Sequence, residues 1–439
     1  MRISVIGCGY LGAVHAASMA KLGHEVVGID VDDAKIADLA RGKAPFFEPG
    51  LEQLLLEVQA TGRLTFTTDI SAAKGSKAHF ICVGTPQKKG ENAADMRYVD
   101  AAAAALLPYV AAGDVVVGKS TVPVGTAARL ADLLHELQPQ AHLAWNPEFL
   151  REGHAIKDTL HPDRFVYGVE DGNDDHPAAA LLDEVYAAPL SEGTSRIVTD
   201  YATAELVKTA ANSFLATKIS FINAMAEVCE AAGADVTLLA DSIGLDDRIG
   251  RKFLNAGIGF GGGCLPKDIR AFMARAGELG ADQALSFLRE VDAINMRRRT
   301  RVVELTRELC EGSLLGKRVA VLGAAFKPES DDVRDSPALS VAAQLQLQGA
   351  VVSVTDPQAL GNAARRFPEL NFEPDTDRCL SKADAVLLLT EWREYRELDP
   401  HAVADLVSTC RILDGRNVLD PAKWRDAGWS YRGLGRPQA

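Results

Sequence analysis

The sequence predicts an α/β protein in which two doubly wound parallel domains are joined by a central helical domain with one long helix. Three observations predict it. A strand, a glycine-rich turn, a helix and a second strand occupy the first 30 or so positions, and the same alternation restarts at Arg318. Between them, Tyr201 to Ala232 runs without a single Gly or Pro. Alternation of strand and helix is the pattern of a parallel sheet covered on both faces.

Taken in order, Arg2 to Ile6 is a β-rich run ended by Gly7, Leu11 to Leu22 is a small and apolar helical stretch closed by Gly23, and residues 25 to 29 form a strand that stops at Asp30. That is one β-α-β unit. Further strands are expected at 79–83, 115–118 and 164–169, separated by helices rich in Ala and Leu, so a first domain spans residues 1–200. The stretch from Tyr201 to Ala232 would make a helix of roughly 48 Å at 1.5 Å per residue, the length of a domain connector or a dimer seam. Helical pattern also covers 266–310, broken around Gly277 and Gly280, which completes an all-helical middle domain over 201–310. A second α/β domain then spans 311–439, with strands at Val319–Leu322, Val351–Val354, Ala385–Leu389 and Arg411–Leu413. Gly433 to Ala439 reads as a loose tail.

Length and composition narrow the function classes. The 439 residues suffice for about three domains, and 47% hydrophobic with 24% charged residues excludes a disordered chain or a fibrous rod. The 60 acidic against 47 basic residues give a net charge of -13, the wrong sign for holding nucleic acid or an anionic membrane through the overall field. Seven scattered cysteines without a C-x-x-C pair argue against a disulfide framework or a zinc site, so no metal is expected and the compartment is read as reducing cytoplasm. No uncharged apolar run reaches the roughly 18 residues of a membrane span. Gly7, Gly9 and Gly12 stand where a secretion signal would need its apolar helix.

Five constellations carry chemistry. Gly7-Cys8-Gly9-Tyr10-Leu11-Gly12 is a G-x-G-x-x-G between strand and helix, where glycines permit the tight turn, the approach of a pyrophosphate and close helix packing. Asp30 ends the next strand, where a carboxylate accepts both ribose hydroxyls and repels a 2'-phosphate, which favours NAD over NADP. Gly259 to Asp268 (GFGGGCLPKD) places Cys264 before Pro266, a residue suited to the first helical position, so the thiol stands at a helix's positive end where a thiolate nucleophile is favoured. The other six cysteines read as buried hydrophobes. Lys208 and Asn212, spaced i, i+4 on the long helix, are a cation and an amide donor suited to an oxyanion, or else a surface lysine beside a tolerated amide. Glu148 and Glu152 straddle a turn after Asn146-Pro147, preceded by Thr121 in a Lys-Ser-Thr-Val-Pro segment; they are either a proton relay or solvated surface acids. Lys327 and Arg334, in the loop after the second domain's first strand, suit phosphate or carboxylate, with a salt-bridged loop as the alternative.

With these residues in view, the chain resembles the UDP-glucose/GDP-mannose dehydrogenase family of nucleotide-sugar 6-dehydrogenases over essentially its whole length. The Gly-Gly-Gly-Cys-Leu-Pro-Lys-Asp and Asn-Pro-Glu-Phe-Leu-Arg-Glu stretches carry the resemblance. Asp247-Arg248-Ile249-Gly250 with Phe253-Leu254-Asn255 resembles the branch that acts on UDP-glucose more than the GDP-mannose branch. The resemblance implies two Rossmann-like domains around a helical dimerisation segment, the active site in the cleft between domains, and a four-electron oxidation of the sugar's primary alcohol with two NAD reduced. Cys264 would add to the aldehyde, the thiohemiacetal would give the second hydride, and water would hydrolyse the thioester.

By the same resemblance Lys208 and Asn212 would stabilise the oxyanion, Asp268 and Thr121 would position or activate water, and Glu148 and Glu152 would assist proton transfer. Gly7, Gly9, Tyr10, Leu11, Gly12, Asp30, Lys35, Thr85, Thr121, Glu152, Lys267 and Arg334 would touch NAD. The nucleotide sugar would be held by Glu148, Phe149, Leu150, Arg151, Glu152, Lys208 and Asn212, by Phe253, Leu254, Asn255, Ala256 and Gly257, and by Gly261 and Lys327. Arg248 would reach it from a partner subunit of a homodimer or higher oligomer. Asn255 stands where some relatives carry lysine and Gly263 where others carry a larger residue, so diphosphate contacts and sugar fit would differ. Competing readings are a GDP-mannose or UDP-N-acetyl-mannosamine dehydrogenase, a single-step dehydrogenase of the 6-phosphogluconate type, which has no use for Cys264, and a non-catalytic sensor.

Overall fold

The strand that opens the chain, β1 (Arg2–Ile6), lies near the middle of the first sheet in the computed structural model, which describes residues 1–437. On one side stand β2 (Glu25–Ile29) and β3 (Leu64–Thr67). On the other are β4 (Ala78–Ile81), β5 (Val115–Gly118), β6 (His142–Trp145), β7 (Arg164–Val169) and β8 (Ser195–Asp200). Every neighbouring pair is parallel except β6 with β7, which meet at Trp145 and Gly168 in antiparallel sense. The strands are apolar on both faces because side chains alternate between two helix-covered layers. Ile3, Val5, Val115 and Val117 enter one core, while Ile6, Val27 and Val116 enter the other.

The second sheet repeats the plan: β9 (Arg318–Leu322), β10 (Val351–Thr355), β11 (Asn371–Phe372), β12 (Ala385–Leu388), β13 (Arg411–Asp414) and β14 (Ser430–Gly433) are all parallel. Their order is β11-β10-β9-β12-β13-β14, so in both sheets strands are first added on one side of the opening strand and then on the other. The reversal leaves a crevice at the carboxyl ends of β1 and β4, and another at β9 and β12, the usual seat of a ligand in a doubly wound sheet.

The middle of the chain is helical, as expected. Tyr201–Ala232 is one 32-residue helix, and Leu265–Glu278 and Phe287–Leu309 are separated by a tight turn around Gly280, whose φ is +75°. The described chain divides into two compact units, Met1–Ala211 with Arg270–Gly280, and Asn212–Ile269 with the residues from Ala281 onward. The long helix and the helix after Cys264 therefore each contribute to both units. No helix among the described residues is long and apolar enough to cross a membrane.

Two sequence expectations need correction. Strands β3, β6, β8, β11 and β14 were not foreseen, because they are short, or polar at an edge, and owe their extended form to a neighbouring strand. The end of the chain is not a loose tail as far as residue 436. Gly433 closes β14, Leu434 is buried, the Leu434 N–H donates to Asn417 Oδ1 at 3.0 Å, and the Gly435 N–H donates to Glu230 Oε1 at 3.0 Å. Residues 438 and 439 lie outside the described part.

Candidate active site

The turn between β1 and the helix Tyr10–Lys21 has the shape its glycines imply. Gly7 sits at φ +91°, and a Cβ on Gly12 would fall 1.8 Å from the Gly7 carbonyl oxygen, so strand and helix meet backbone to backbone. A Cβ on Gly9 would meet nothing within 4 Å, and the helix that Gly9 caps has no side-chain cap. Open space thus faces uncapped N–H groups at a positive helix end, a cradle that fits a pyrophosphate. The two glycines predict opposite tolerances: Gly12→Ala should cost about 3 kcal/mol or more by overpacking and abolish NAD binding. Gly263→Ala, whose Cβ would first meet the end of the Arg334 side chain at 2.1 Å, should cost about 1 kcal/mol, because a side-chain end can shift where backbone cannot. Thermal melts and NAD titration of the two variants check the contrast.

Asp30 is tied to this loop. Its Oδ2 accepts from the Cys8 N–H at 2.8 Å and from Lys35 Nζ at 2.9 Å, while Oδ1 accepts from the Asp32 N–H at 3.1 Å. Lys35 thus holds the carboxylate that would meet the ribose. Tyr10 turns its hydroxyl onto buried Glu48, and Glu48 accepts from the Gly153 N–H at 2.6 Å and the Ala155 N–H at 2.7 Å. Burial and Glu48 together push the Tyr10 phenol up. Leu11 packs against the core, so Tyr10 and Leu11 are left to meet a cofactor mainly through backbone.

Within the same unit, Thr85 Oγ1 donates to the Thr121 carbonyl at 2.7 Å, which brings together two residues expected near the cofactor. Glu148 Oε1 lies 3.1 Å from Lys208 Nζ, and Glu148 Oε2 accepts from the Leu150 N–H at 2.8 Å. Both side chains are largely buried, so Glu148 is not a solvated surface acid and Lys208 is not a surface lysine. Phe149 lies beside them, its ring centroid 5.7 Å from Lys208 Nζ. Glu152 is buried, whereas exposed Arg151 is paired with Asp158 at 2.7 Å.

The second unit carries the sulfur. Cys264 is exposed, and its carbonyl accepts from the Asp268 N–H at 3.0 Å, which places it at the N-terminus of Leu265–Glu278 and Pro266 at the second helical position rather than the first. Asp268, buried one turn on, accepts from Asn212 Nδ2 at 2.6 Å on Oδ2 and from Lys267 Nζ at 2.6 Å on Oδ1. Lys208 and Asn212 stand one turn apart on the long helix, and each meets one of the expected acids. Gly263 leaves room for the Arg334 guanidinium, which is held at 2.7 Å on Asp332, and Asp332 also accepts from the Gly263 N–H at 3.2 Å. Gly261 packs against the Asp335 carbonyl, where a Cβ would be 2.4 Å away, and Lys327 Nζ lies 5.5 Å from the Phe326 ring.

The segment from Phe253 to Gly257 divides. Leu254 and Ala256 turn their side chains into the core, so only their backbone is available to a ligand. The Gly257 N–H donates to Asn223 Oδ1 at 2.9 Å, and Asn255 accepts from Arg251 at 2.8 Å. Phe253 is half-exposed at φ +66°, an uncommon conformation for an aromatic residue. Arg248 is exposed and paired with Asp246 at 2.6 Å. Sequence reading gave no role to Glu48, Asp332 or Lys119. The signal for Lys119 was present: a charged residue directly after the apolar strand Val115–Gly118.

The chain is similar to known proteins along its whole length. Residues 1–189 match the NAD binding domain of the UDP-glucose/GDP-mannose dehydrogenase family, residues 202–297 its central domain and residues 320–421 its UDP binding domain. The chain is 41% identical over 440 residues to the UDP-glucose 6-dehydrogenase of Rhizobium meliloti, covering 100% of both, and 41% identical to UDP-glucose 6-dehydrogenase TuaD of Bacillus subtilis, covering 99% of this chain and 93% of that one. A UDP-glucose dehydrogenase structure from Pyrobaculum islandicum superposes with a TM-score of 0.89 at 39% identity, over 99% of this chain and 98% of that one. With all three domains matched in order and with such relatives end to end, the chain belongs to the UDP-glucose/GDP-mannose dehydrogenase family, an NAD-dependent group.

Proposed function

We propose that the chain oxidises the C6 primary alcohol of UDP-glucose to the carboxylate of UDP-glucuronate, through covalent attachment of the sugar to Cys264. The observation that carries this reading is an exposed thiol at the start of a 14-residue helix, with buried Asp268 one turn away and Asn212 bonded to it. The substrate is supported by the match to the UDP binding domain and by relatives named for UDP-glucose.

NAD, held at the glycine turn, Asp30 and Thr85, would accept one hydride in each of two oxidations. Glu148, bonded to Lys208, takes the proton from the C6 hydroxyl as the aldehyde forms, and Lys208 steadies the oxygen as it gains charge. The thiolate of Cys264 adds to the aldehyde carbon, a C–S bond forms and the former carbonyl oxygen gains a proton. This restores the H–C–O–H unit from which a second hydride can leave, and the resulting thioester cannot diffuse away. Asp268 positions water, which adds to the thioester carbon; the C–S bond breaks and the thiolate returns. Overall, alcohol, water and two NAD give carboxylate, two NADH and three protons.

Counting NADH per sugar consumed tests the reading: two are expected, and a value of one would leave a single-step dehydrogenase. Separate incubations with GDP-mannose and UDP-N-acetyl-mannosamine should give turnover at least about 10²-fold lower, since a site built on hydrogen bonds discriminates strongly.

A homodimer belongs to the same proposal. Phe214, Phe221 and Val228 recur every seven residues along the long helix and are all exposed. That is the spacing of a helix seam. Phe221→Asp should yield monomers in size-exclusion chromatography with light scattering. Cys8, Cys82, Cys229, Cys310, Cys379 and Cys410 form no disulfide, which supports a reducing cytoplasm as the place of work.

A further inference from the structure

In the same unit as the Glu148–Lys208 pair, and within its electrostatic reach, lies a second lysine that the proposed reaction does not use. Lys119 follows β5 and is 7% exposed. Its Nζ donates to Asn146 Oδ1 at 3.0 Å and to the Tyr186 hydroxyl at 3.4 Å, and it stands 5.8 Å from the centroid of the Tyr186 ring. Among the described residues it forms no ion pair. A buried cation with neutral partners is costly to keep, and an apolar side chain would fill the space more favourably.

The partners of Lys119 show where its influence goes. Asn146 is locked on all sides: its N–H donates to the Gly118 carbonyl at 2.8 Å, its Nδ2 donates to the Val166 carbonyl at 3.0 Å, and its Oδ1 also accepts from the Tyr186 hydroxyl at 2.8 Å. Asn146 is followed by Pro147, which removes a backbone freedom, and then by Glu148. Four groups, Lys119 among them, thus hold the root of the turn whose tip meets Lys208. We infer that Lys119 is a positioning residue that sets the Asn146-Pro147-Glu148 turn, and adds a second positive charge behind Glu148, so that Glu148 meets Lys208. This rests on the proton-transfer role proposed above for Glu148.

The charged groups around Lys119 come from every element packed on it. Burial pushes its ammonium down to about 8, Lys208 on the long helix pushes the same way, and Glu148 on the turn and Cys82 after β4 oppose them. His15 on the first helix is fully buried and kept neutral by burial and by Lys119. Burial raises the Tyr186 phenol, and it pushes the Cys82 thiol up to about 12. Neither competes for the proton near neutral pH.

Lys119→Met keeps the stem and removes the charge. Its kcat should fall about tenfold, the effect of roughly one pKa unit, while KM for NAD stays within about twofold. The ratio of wild-type to variant kcat should narrow above about pH 8, where the wild-type lysine sheds its own proton. In a Glu148→Gln background the same substitution should cost less than about twofold more, because coupled residues are not additive. Unchanged kcat, a ratio flat with pH, or an equal loss in both backgrounds would overturn the inference. If Lys119→Met does not fold, Tyr186→Phe carries the test. It should lose about threefold in kcat, again only when Glu148 is present, and no loss, or the same loss without Glu148, would overturn it. Wild-type kcat in Glu148→Gln alone would remove the role of Glu148 first, and this inference with it.

Discussion

Cys264→Ser should abolish net acid production, with a loss of at least about 10³-fold in turnover to UDP-glucuronate, the scale seen when a covalent nucleophile is removed. Serine has the size of cysteine and keeps the helix N-terminus, so NAD affinity should stay within about twofold and the thermal midpoint should be unchanged. What it lacks is nucleophilicity: an alcohol oxygen adds to a carbonyl far less readily than a thiol sulfur. The aldehyde then waits without a group that can restore a transferable hydride. Chromatographic assay of UDP-glucuronate together with an NAD titration decides the matter. Acid production at the wild-type rate would refute the covalent route, and loss of NAD binding would mean that the substitution had disturbed the fold.

The second large effect concerns Asp268, which is 2% exposed and accepts from two donors on different segments, Asn212 and Lys267. Asp268→Asn presents an amide whose NH2 must face one of those donors, so a buried hydrogen bond becomes a donor–donor contact. The expected cost is about 2–3 kcal/mol of stability, discounted because Lys267 is partly in water. For kcat the expected loss is about 10²–10³-fold, because Asn212 loses the partner that aims it and water loses the group that positions it. Urea unfolding and initial-rate kinetics on one preparation separate the two effects. A variant with a normal kcat would show that Asp268 is only a structural acceptor.

How much of this was legible depends on whether the signal was local. The turn Gly7 to Gly12 was legible because its requirement is one of backbone room, and in the structure a Cβ on Gly12 would fall only 1.8 Å from the Gly7 carbonyl oxygen. The long helix was legible from the absence of Gly and Pro, and Cys264 from the glycines and proline around it. Strands β6 and β14 were not, because His-Leu-Ala-Trp and Ser-Tyr-Arg-Gly have no strong period of their own. The tail was misjudged for a related reason. Gly and Pro suggest looseness, yet Asn417 and Glu230, distant in the chain, hold residues 434 and 435.

By itself, the sequence determined the doubly wound class, the glycine turn of a dinucleotide site, the cysteine at a helix start and the long helix, since each depends on residues within one or two turns of one another. Only the tertiary structure decided that Glu148 meets Lys208, that Asn212 meets Asp268, that Arg334 fills the space Gly263 leaves, and that Lys119 lies buried against Asn146 and Tyr186. Those pairs join residues far apart in the chain. Hydrogen bonds and ion pairs act over about 3 Å, a distance no spacing along the sequence encodes, so partners emerge only when strands and helices bring remote segments together.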